Sequence, residues 1–216
     1  MVNDDIQLTA QFRCGGSDVY LRWLDNLLEI RPSNQKFLTP SSYMLHICET
    51  PNEVVREIKQ KNRRNNKSRV VAGFCWPWLS RDSAKGYDIV IPEHRFKAQW
   101  NLSRDDTWSI TEGSVNQIGC IHTCQGLEFD YVGVIIGEDL ICRNGHILVN
   151  PSKRSKDDYS IRGYKKMMLT DPEGTKDIIR QIIKNTYRVL MTRGMKGCYL
   201  YVMDNELREY IKSRII

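Results

Sequence analysis

The sequence predicts an α/β fold in which a mostly parallel sheet is flanked by helices, and three observations carry that prediction. Runs rich in β-branched and aromatic residues alternate with stretches whose apolar positions recur at helical spacing, the pattern of strand and helix units in a parallel sheet. Helix starts are marked by capping chemistry, at Ser17 or Asp18 and at Thr50-Pro51 with Glu53. The stretch Gly119 to Asp130 sets polar residues around a glycine turn between a short strand and the apolar run Tyr131 to Gly137. Such turns at the carboxyl ends of parallel strands converge on a ligand crevice, so this stretch is the expected centre of the site.

Taken in order, Ile6 to Arg13 alternates apolar and polar residues as a strand does, and Cys14-Gly15-Gly16-Ser17-Asp18 turns it into a helix from Val19 to Ile30, stopped by Pro32. Ser41 to Cys48 is a second strand. Thr50, Pro51 and Glu53 start a helix that runs to about Lys61 and gives way to the basic residues before Lys67. Ser68 to Trp76 reads as a third, largely buried strand. Over Pro77 to Glu112 the pattern loosens into an irregular Trp-rich insertion containing a short strand, Tyr87 to Ile91; its tryptophans either stack bases or anchor the insertion on the core. A second insertion, about 139–165, reads over Asp139 to Tyr159 as a hairpin or a loop, with Arg143-Asn144-Gly145 as turn chemistry. Thr175 to Asn185 is helical, Gly197 to Met203 is a buried strand, and Asp204 caps a last helix to about Arg214. With no repeat or low-complexity linker, residues 1–216 are expected to form one domain.

Composition narrows the class. Hydrophobic residues make up 41% and charged residues 27% of the 216, an ordinary balance for a globular chain. No apolar run approaches the roughly 20 residues needed to cross a bilayer, and the start Met1-Val2-Asn3-Asp4-Asp5 lacks a secretory pattern. A cytoplasmic protein without membrane contact is expected. Seven scattered cysteines read as reduced core thiols; Cys120 and Cys124 flank His122, but no second Cys/His pair stands at finger-like spacing, so no metal site is expected. The net charge of +6 is concentrated in two clusters, Lys59, Lys61, Arg63, Arg64, Lys67 and Arg69, then Lys153, Arg154, Lys156, Arg162, Lys165 and Lys166. Each is either a phosphate-binding patch or a solvated helix end or loop.

Three stretches together resemble a known family. Leu8-Thr9-Ala10-Gln11-Phe12-Arg13 is similar to motif IV of superfamily 1 helicases, His122-Thr123-Cys124-Gln125-Gly126-Leu127-Glu128-Phe129-Asp130 to motif V, and Val189-Leu190-Met191-Thr192-Arg193 to motif VI. Order and separations fit the second, C-terminal RecA-like domain of such enzymes, a P-loop-NTPase-related fold. The wording is closest to a bacterial helicase-like ATPase family related to the Schlafen helicase domain. The resemblance implies that Arg193 is an arginine finger for the γ-phosphate of ATP and Arg13 a second phosphate contact. It implies that Gln11, Gln125, Gly126 and Glu128 lie on the nucleotide side, and that His122 and Thr123 face nucleic acid; Lys61, Arg63 and Arg64 of the first basic cluster are the expected charge contacts to it. On residue type alone, Arg13 and Arg193 are equally readable as ion-pair partners of Glu128, and His122 as a core histidine.

No Gly-x-x-x-x-Gly-Lys-Ser/Thr loop occurs in the chain. The expectation is therefore a chain that supplies the arginine side of an ATP and Mg2+ site shared with an N-terminal P-loop ATPase domain of the same protein, binds DNA or RNA, and does not hydrolyse ATP alone. Two other classes fit the same residues: a non-catalytic nucleic-acid-binding module, and a Schlafen-like ATPase with a regulatory or defence role and no unwinding.

Overall fold

In a computed structural model of the chain, residues 13–81, 86–101, 107–124 and 128–216 are described. The expected strand Ile6 to Arg13 therefore lies almost wholly outside them. A five-stranded sheet runs in the order β1 (Met44–Ile47), β9 (Gly194–Val202), β6 (Phe129–Ile136), β2 (Ser68–Ala72) and β5 (Ile118–Gly119), and every pairing in it is parallel. Two antiparallel pairs stand outside it, β3 (Ile89–Ile91) with β4 (Phe96–Ala98) and β7 (Leu140–Arg143) with β8 (His146–Val149).

Both faces of the sheet are covered, which is why β2 and most of β6 and β9 are buried without alternation. On one face, α1 (Asp18–Leu27), α4 (Pro172–Met191) and α5 (Asn205–Lys212) pack Leu24, Ile183, Tyr187, Leu190 and Leu207 against Val132, Val134 and Leu200. On the other, α2 (Pro51–Asn62) sets Val54 and Ile58 on Val70, Ile135 and Tyr199, and the segment after β2 extends that layer with Ile89, Ile91 and Trp100. No helix among the described residues is long and apolar enough to cross a membrane.

The capping chemistry acts as written. Ser17 accepts from the Tyr20 amide, Thr50 from Glu53 and Asp204 from Leu207. The expected turn of the hairpin is real: Asn144 and Gly145 both have positive φ, 53° and 77°, as a two-residue hairpin loop requires. Several boundaries differ. The third strand stops at Ala72 rather than Trp76, because the Cys75 amide turns back to the Gly73 carbonyl. The helix expected over Thr175 to Asn185 starts at Pro172, where Asp171 accepts from the Gly174 amide, and it continues through the motif VI residues to Met191. A short helix α3, Tyr164–Thr170, precedes it.

The tryptophans of the first insertion divide. Trp100 and Trp108 are buried and anchor it, so these two are not base-stacking platforms. Its organising residue is Asp88, buried, whose carboxylate accepts from the Ser80 amide and hydroxyl and from the Trp100 amide at 2.6 to 2.8 Å. All seven cysteines are free and six are buried, as core thiols are.

Candidate functional site

The ends of the motif stretches meet at the amino edge of the sheet, not at the carboxyl ends where the polar turn alone had placed the site. Phe129 opens β6 opposite Gly194, which opens β9, and the Phe129 amide donates to the Arg193 carbonyl at 2.8 Å. The turn Arg13–Gly16 has positive φ at Cys14, Gly15 and Gly16. This left-handed path, which glycine follows at little cost, lets the chain lie against the start of β9. There the Cys14 thiol donates to the Thr192 carbonyl, and Tyr43, just ahead of β1, donates its hydroxyl to the Gly194 carbonyl at 2.7 Å. The reason for the displacement is that β5 ends at Gly119 and β6, parallel to it in the same sheet, begins at Phe129, so the polar stretch that leaves the carboxyl end of β5 finishes at the amino end of β6.

Arg193 is 7% exposed and follows the C-terminus of α4. Its guanidinium lies beside the Cys124 thiol, whose pKa burial pushes up to about 12 while the arginine charge pulls it down. Glu128 is exposed on the same edge. Next to it Asp130 accepts from Lys196 Nζ at 2.7 Å and from the Asn65 side chain at 2.8 Å, contacts that hold its carboxyl below the ordinary range. Gln11, Gln125 and Gly126 lie outside the described residues, and of Arg13 only the backbone is described.

Lys61, Arg63 and Arg64 stand at the C-terminal end of α2, which returns to the amino edge to start β2, so they share the edge of Arg193. Arg63 and Arg64 are exposed; Lys61 lies 4.8 Å from the Tyr131 ring centroid. Arg69 does not belong to this surface. It is buried and donates to Ser114 Oγ, to the Asn62 and Asn66 side chains and to the Thr111 carbonyl, and burial lowers its pKa to about 10. Its charge is consumed in tying α2 to the insertion.

His122 and Thr123 are at the other end of the sheet, just past β5. His122 is exposed, which rules out the core-histidine reading, and its Nε2 is 4.0 Å from Asp158 Oδ1. Thr123 donates its hydroxyl to Asn101 at 2.7 Å. Here sequence reasoning missed a buried ionic group. Arg154, counted above with a basic patch, is fully enclosed and bridges Asp139 at 3.0 Å and Asp158, while Tyr187 donates its hydroxyl to Asp139. Burial alone would lower the arginine pKa, but the two carboxylates more than offset it and hold the value above normal. The Tyr187 hydroxyl also receives the Gly137 amide at 3.0 Å, so the group locks the loops that leave β6 and β8. No periodicity announces such a cluster, because its members come from three separate segments.

The arrangement thus has an amino edge carrying a buried arginine, an exposed glutamate and a basic helix end, and a carboxyl edge carrying an exposed histidine above an enclosed ionic core. Against known proteins, the sequence is 26% identical over 217 residues to the uncharacterized Saccharomyces cerevisiae protein YPL245W, covering 94% of this chain and 46% of the relative, so the chain spans about half the length of that protein. It matches the family described as Schlafen group 3, DNA/RNA helicase domain, over residues 1–204. With nearly its whole length matched in this way, the chain belongs to the Schlafen group 3 helicase domain family.

Proposed function

We propose that residues 1–216 form one C-terminal RecA-like domain of a helicase-like ATPase, supplying arginine contacts to an ATP site shared with an N-terminal P-loop domain of the same protein. The observation that carries this reading is the meeting of Arg13–Gly16, Glu128–Phe129 and Thr192–Lys196 at one sheet edge. Pairing of β6 with β9 brings Phe129 and Gly194 together, and the gathering of the ends of three separate motifs at that edge is what a composite site requires.

In this reading ATP is the substrate, bound with Mg2+ mainly by the P-loop domain. Arg193 delivers a permanent positive charge to the γ-phosphate, Arg13 makes a second phosphate contact, Gly126 allows close backbone approach, and Glu128 accepts from a ribose hydroxyl. Gln11 and Gln125 complete the nucleotide side. Because Arg193 rests beside Cys124 at 7% exposure, it reaches phosphate only when the segment holding it shifts, which makes its contact conditional on domain closure. DNA or RNA runs over Lys61, Arg63 and Arg64, with His122 and Thr123 reporting from the opposite edge.

An arginine finger is worth about 10³ to 10⁵ in kcat, or about 4 to 7 kcal/mol of barrier. Arg193→Ala in the intact protein is therefore expected to reduce ATP turnover at least a thousandfold while nucleotide affinity changes little. Turnover within tenfold of wild type refutes the assignment.

A further inference from the structure

A second cluster of chemically competent side chains lies away from both the arginine edge and the ionic core, at the carboxyl end of the edge strand β1. His46 and Cys48 are two apart on an extended chain, so they point to the same face. That face is the one α2 covers, and Glu53 comes from the first turn of α2, opposite them. One ligand atom from each residue, an imidazole nitrogen, the thiol sulfur and a carboxylate oxygen, lies within 4.8 Å of the other two. His46 Nε2 and Glu53 Oε1 are 3.9 Å apart.

The geometry points to a binding site for a zinc-class divalent cation formed by His46, Cys48 and Glu53, with a fourth position open to solvent. Zinc bound at about 2.3 Å by sulfur and about 2.0 to 2.2 Å by nitrogen and oxygen places its ligand atoms about 3.3 to 3.7 Å apart, so the three atoms need to close by about 1 Å at most. The ligand types select the metal: a thiolate with an imidazole and one carboxylate suits zinc or cobalt and not magnesium or calcium, which take oxygen sets.

Two features show that the cluster is held rather than accidental. The Glu53 carboxylate is fixed from behind, its Oε2 accepting from the amide of Glu49, the residue before the Thr50 cap, at 3.0 Å, which leaves Oε1 turned toward His46. Cys48 is enclosed and its amide is anchored to the Leu200 carbonyl at 2.8 Å, so the sulfur has a fixed position at the bottom of the group while His46, about half exposed, closes it from outside. A protein cation already leans on the same oxygen: Arg56 approaches Glu53 Oε1 at 3.5 Å while pairing more closely with Glu57 at 3.1 Å. Metal binding displaces that weak contact and leaves the stronger one in place. The cation would pin the start of α2 to the edge strand, at the far end of the helix from Lys61, Arg63 and Arg64.

The test uses chelator-stripped protein, equilibrium dialysis against zinc chloride and titration with cobalt chloride. The expected result is one zinc per chain and a cobalt spectrum with thiolate charge-transfer and tetrahedral bands. Cys48→Ser abolishes the charge-transfer band, and His46→Ala weakens binding by more than the roughly 10- to 100-fold typical of a supporting residue. Arg56→Gln, on an exposed side chain, tightens binding, and magnesium does not compete. Zinc raises the unfolding temperature of the wild type and not of His46→Ala. Absence of stoichiometric zinc, zinc retained by both the His46 and Cys48 variants, or a cobalt spectrum without thiolate character overturns the proposal.

Discussion

Replacing Arg154 with methionine takes away a guanidinium that two enclosed carboxylates share. In the wild type, Arg154 Nε donates to Asp158 at 2.7 Å, a second nitrogen pairs with the same carboxylate, and Nη1 donates to Asp139 at 3.0 Å, with all three side chains shielded from solvent. Breaking a buried pair costs about 3 to 5 kcal/mol, because the remaining charge keeps its desolvation penalty without its partner. Here two carboxylates are left, but each retains other donors: Ser160 amide and hydroxyl for Asp158, Tyr187 hydroxyl for Asp139. These partly replace the lost interaction, which sets the expected loss near 4 kcal/mol rather than twice that. With an m-value of about 3 kcal/mol per molar urea, the unfolding midpoint falls by about 1.3 M. The control is the triple variant Arg154→Met, Asp139→Asn, Asp158→Asn, which removes the charges together and is expected to recover part of the loss. A midpoint shift under 0.3 M for Arg154→Met (about 1 kcal/mol), or a triple variant less stable than the single one, refutes the reasoning.

Gly73→Ala probes the same group from the sheet side, since a Cβ there would stand 1.9 Å from the Tyr187 hydroxyl; a loss of about 1 to 3 kcal/mol in urea unfolding is expected. The basic helix end separates binding from folding: Lys61→Ala, Arg63→Ala and Arg64→Ala together should leave the unfolding midpoint almost unchanged but flatten the salt dependence of single-strand affinity, by about 0.7 in slope per lost phosphate contact. Arg69→Ala should do the reverse and lower stability first. For Asp130 the sign follows from its depressed folded pKa, caused first by the Lys196 hydrogen bond: the stabilisation is present above the unfolded value of about 3.9 and is lost as pH falls through the folded value. Lys196→Ala is therefore less stable than wild type at pH 7 and converges with it as pH falls through the depressed folded value, as denaturation across an acid pH series will report.

Regular elements were legible where one local signal decided them. Thr50-Pro51 and Asp204 fixed helix starts because capping is a contact among residues three apart, and the Asn144-Gly145 turn needed only two residues that tolerate positive φ. Asp171-Pro172 carries the same signal as Thr50-Pro51, so the early start of α4 was readable in principle. The placement of the site was not. Which edge of the sheet a turn serves depends on where the next strand begins, and the place of Phe129 at the amino edge is decided by its pairing with Gly194, 65 residues away in sequence. Charge was misleading for a related reason. Arg69 and Arg154 sit among lysines and arginines in the sequence, but each also has a partner from another segment, Ser114 and Asp139, and it is that non-local contact that draws them into the core.

That edge assignment changes what coupling requires. Arg193 and the basic end of α2 share the amino edge, where electrostatics link them directly, while His122 stands at the carboxyl edge and the chain from Cys120 to Phe129 connects it to them. Its ends differ in restraint. Near the carboxyl edge, Thr123 is tied to Asn101 and Cys120, and His122 lies over the Asp158 carboxylate, which the Arg154 group holds in place. On its other side Cys124 lies beside Arg193, and at the amino edge Phe129 is paired to the start of β9. A displacement of Arg193 therefore acts on Cys124, the chain neighbour of Thr123, and so on the turn that His122 sets against the enclosed ionic core. On this argument, weakening the anchor through Arg154→Met should reduce the stimulation of ATP turnover by nucleic acid more than it reduces turnover without nucleic acid, whereas Arg193→Ala should reduce both alike.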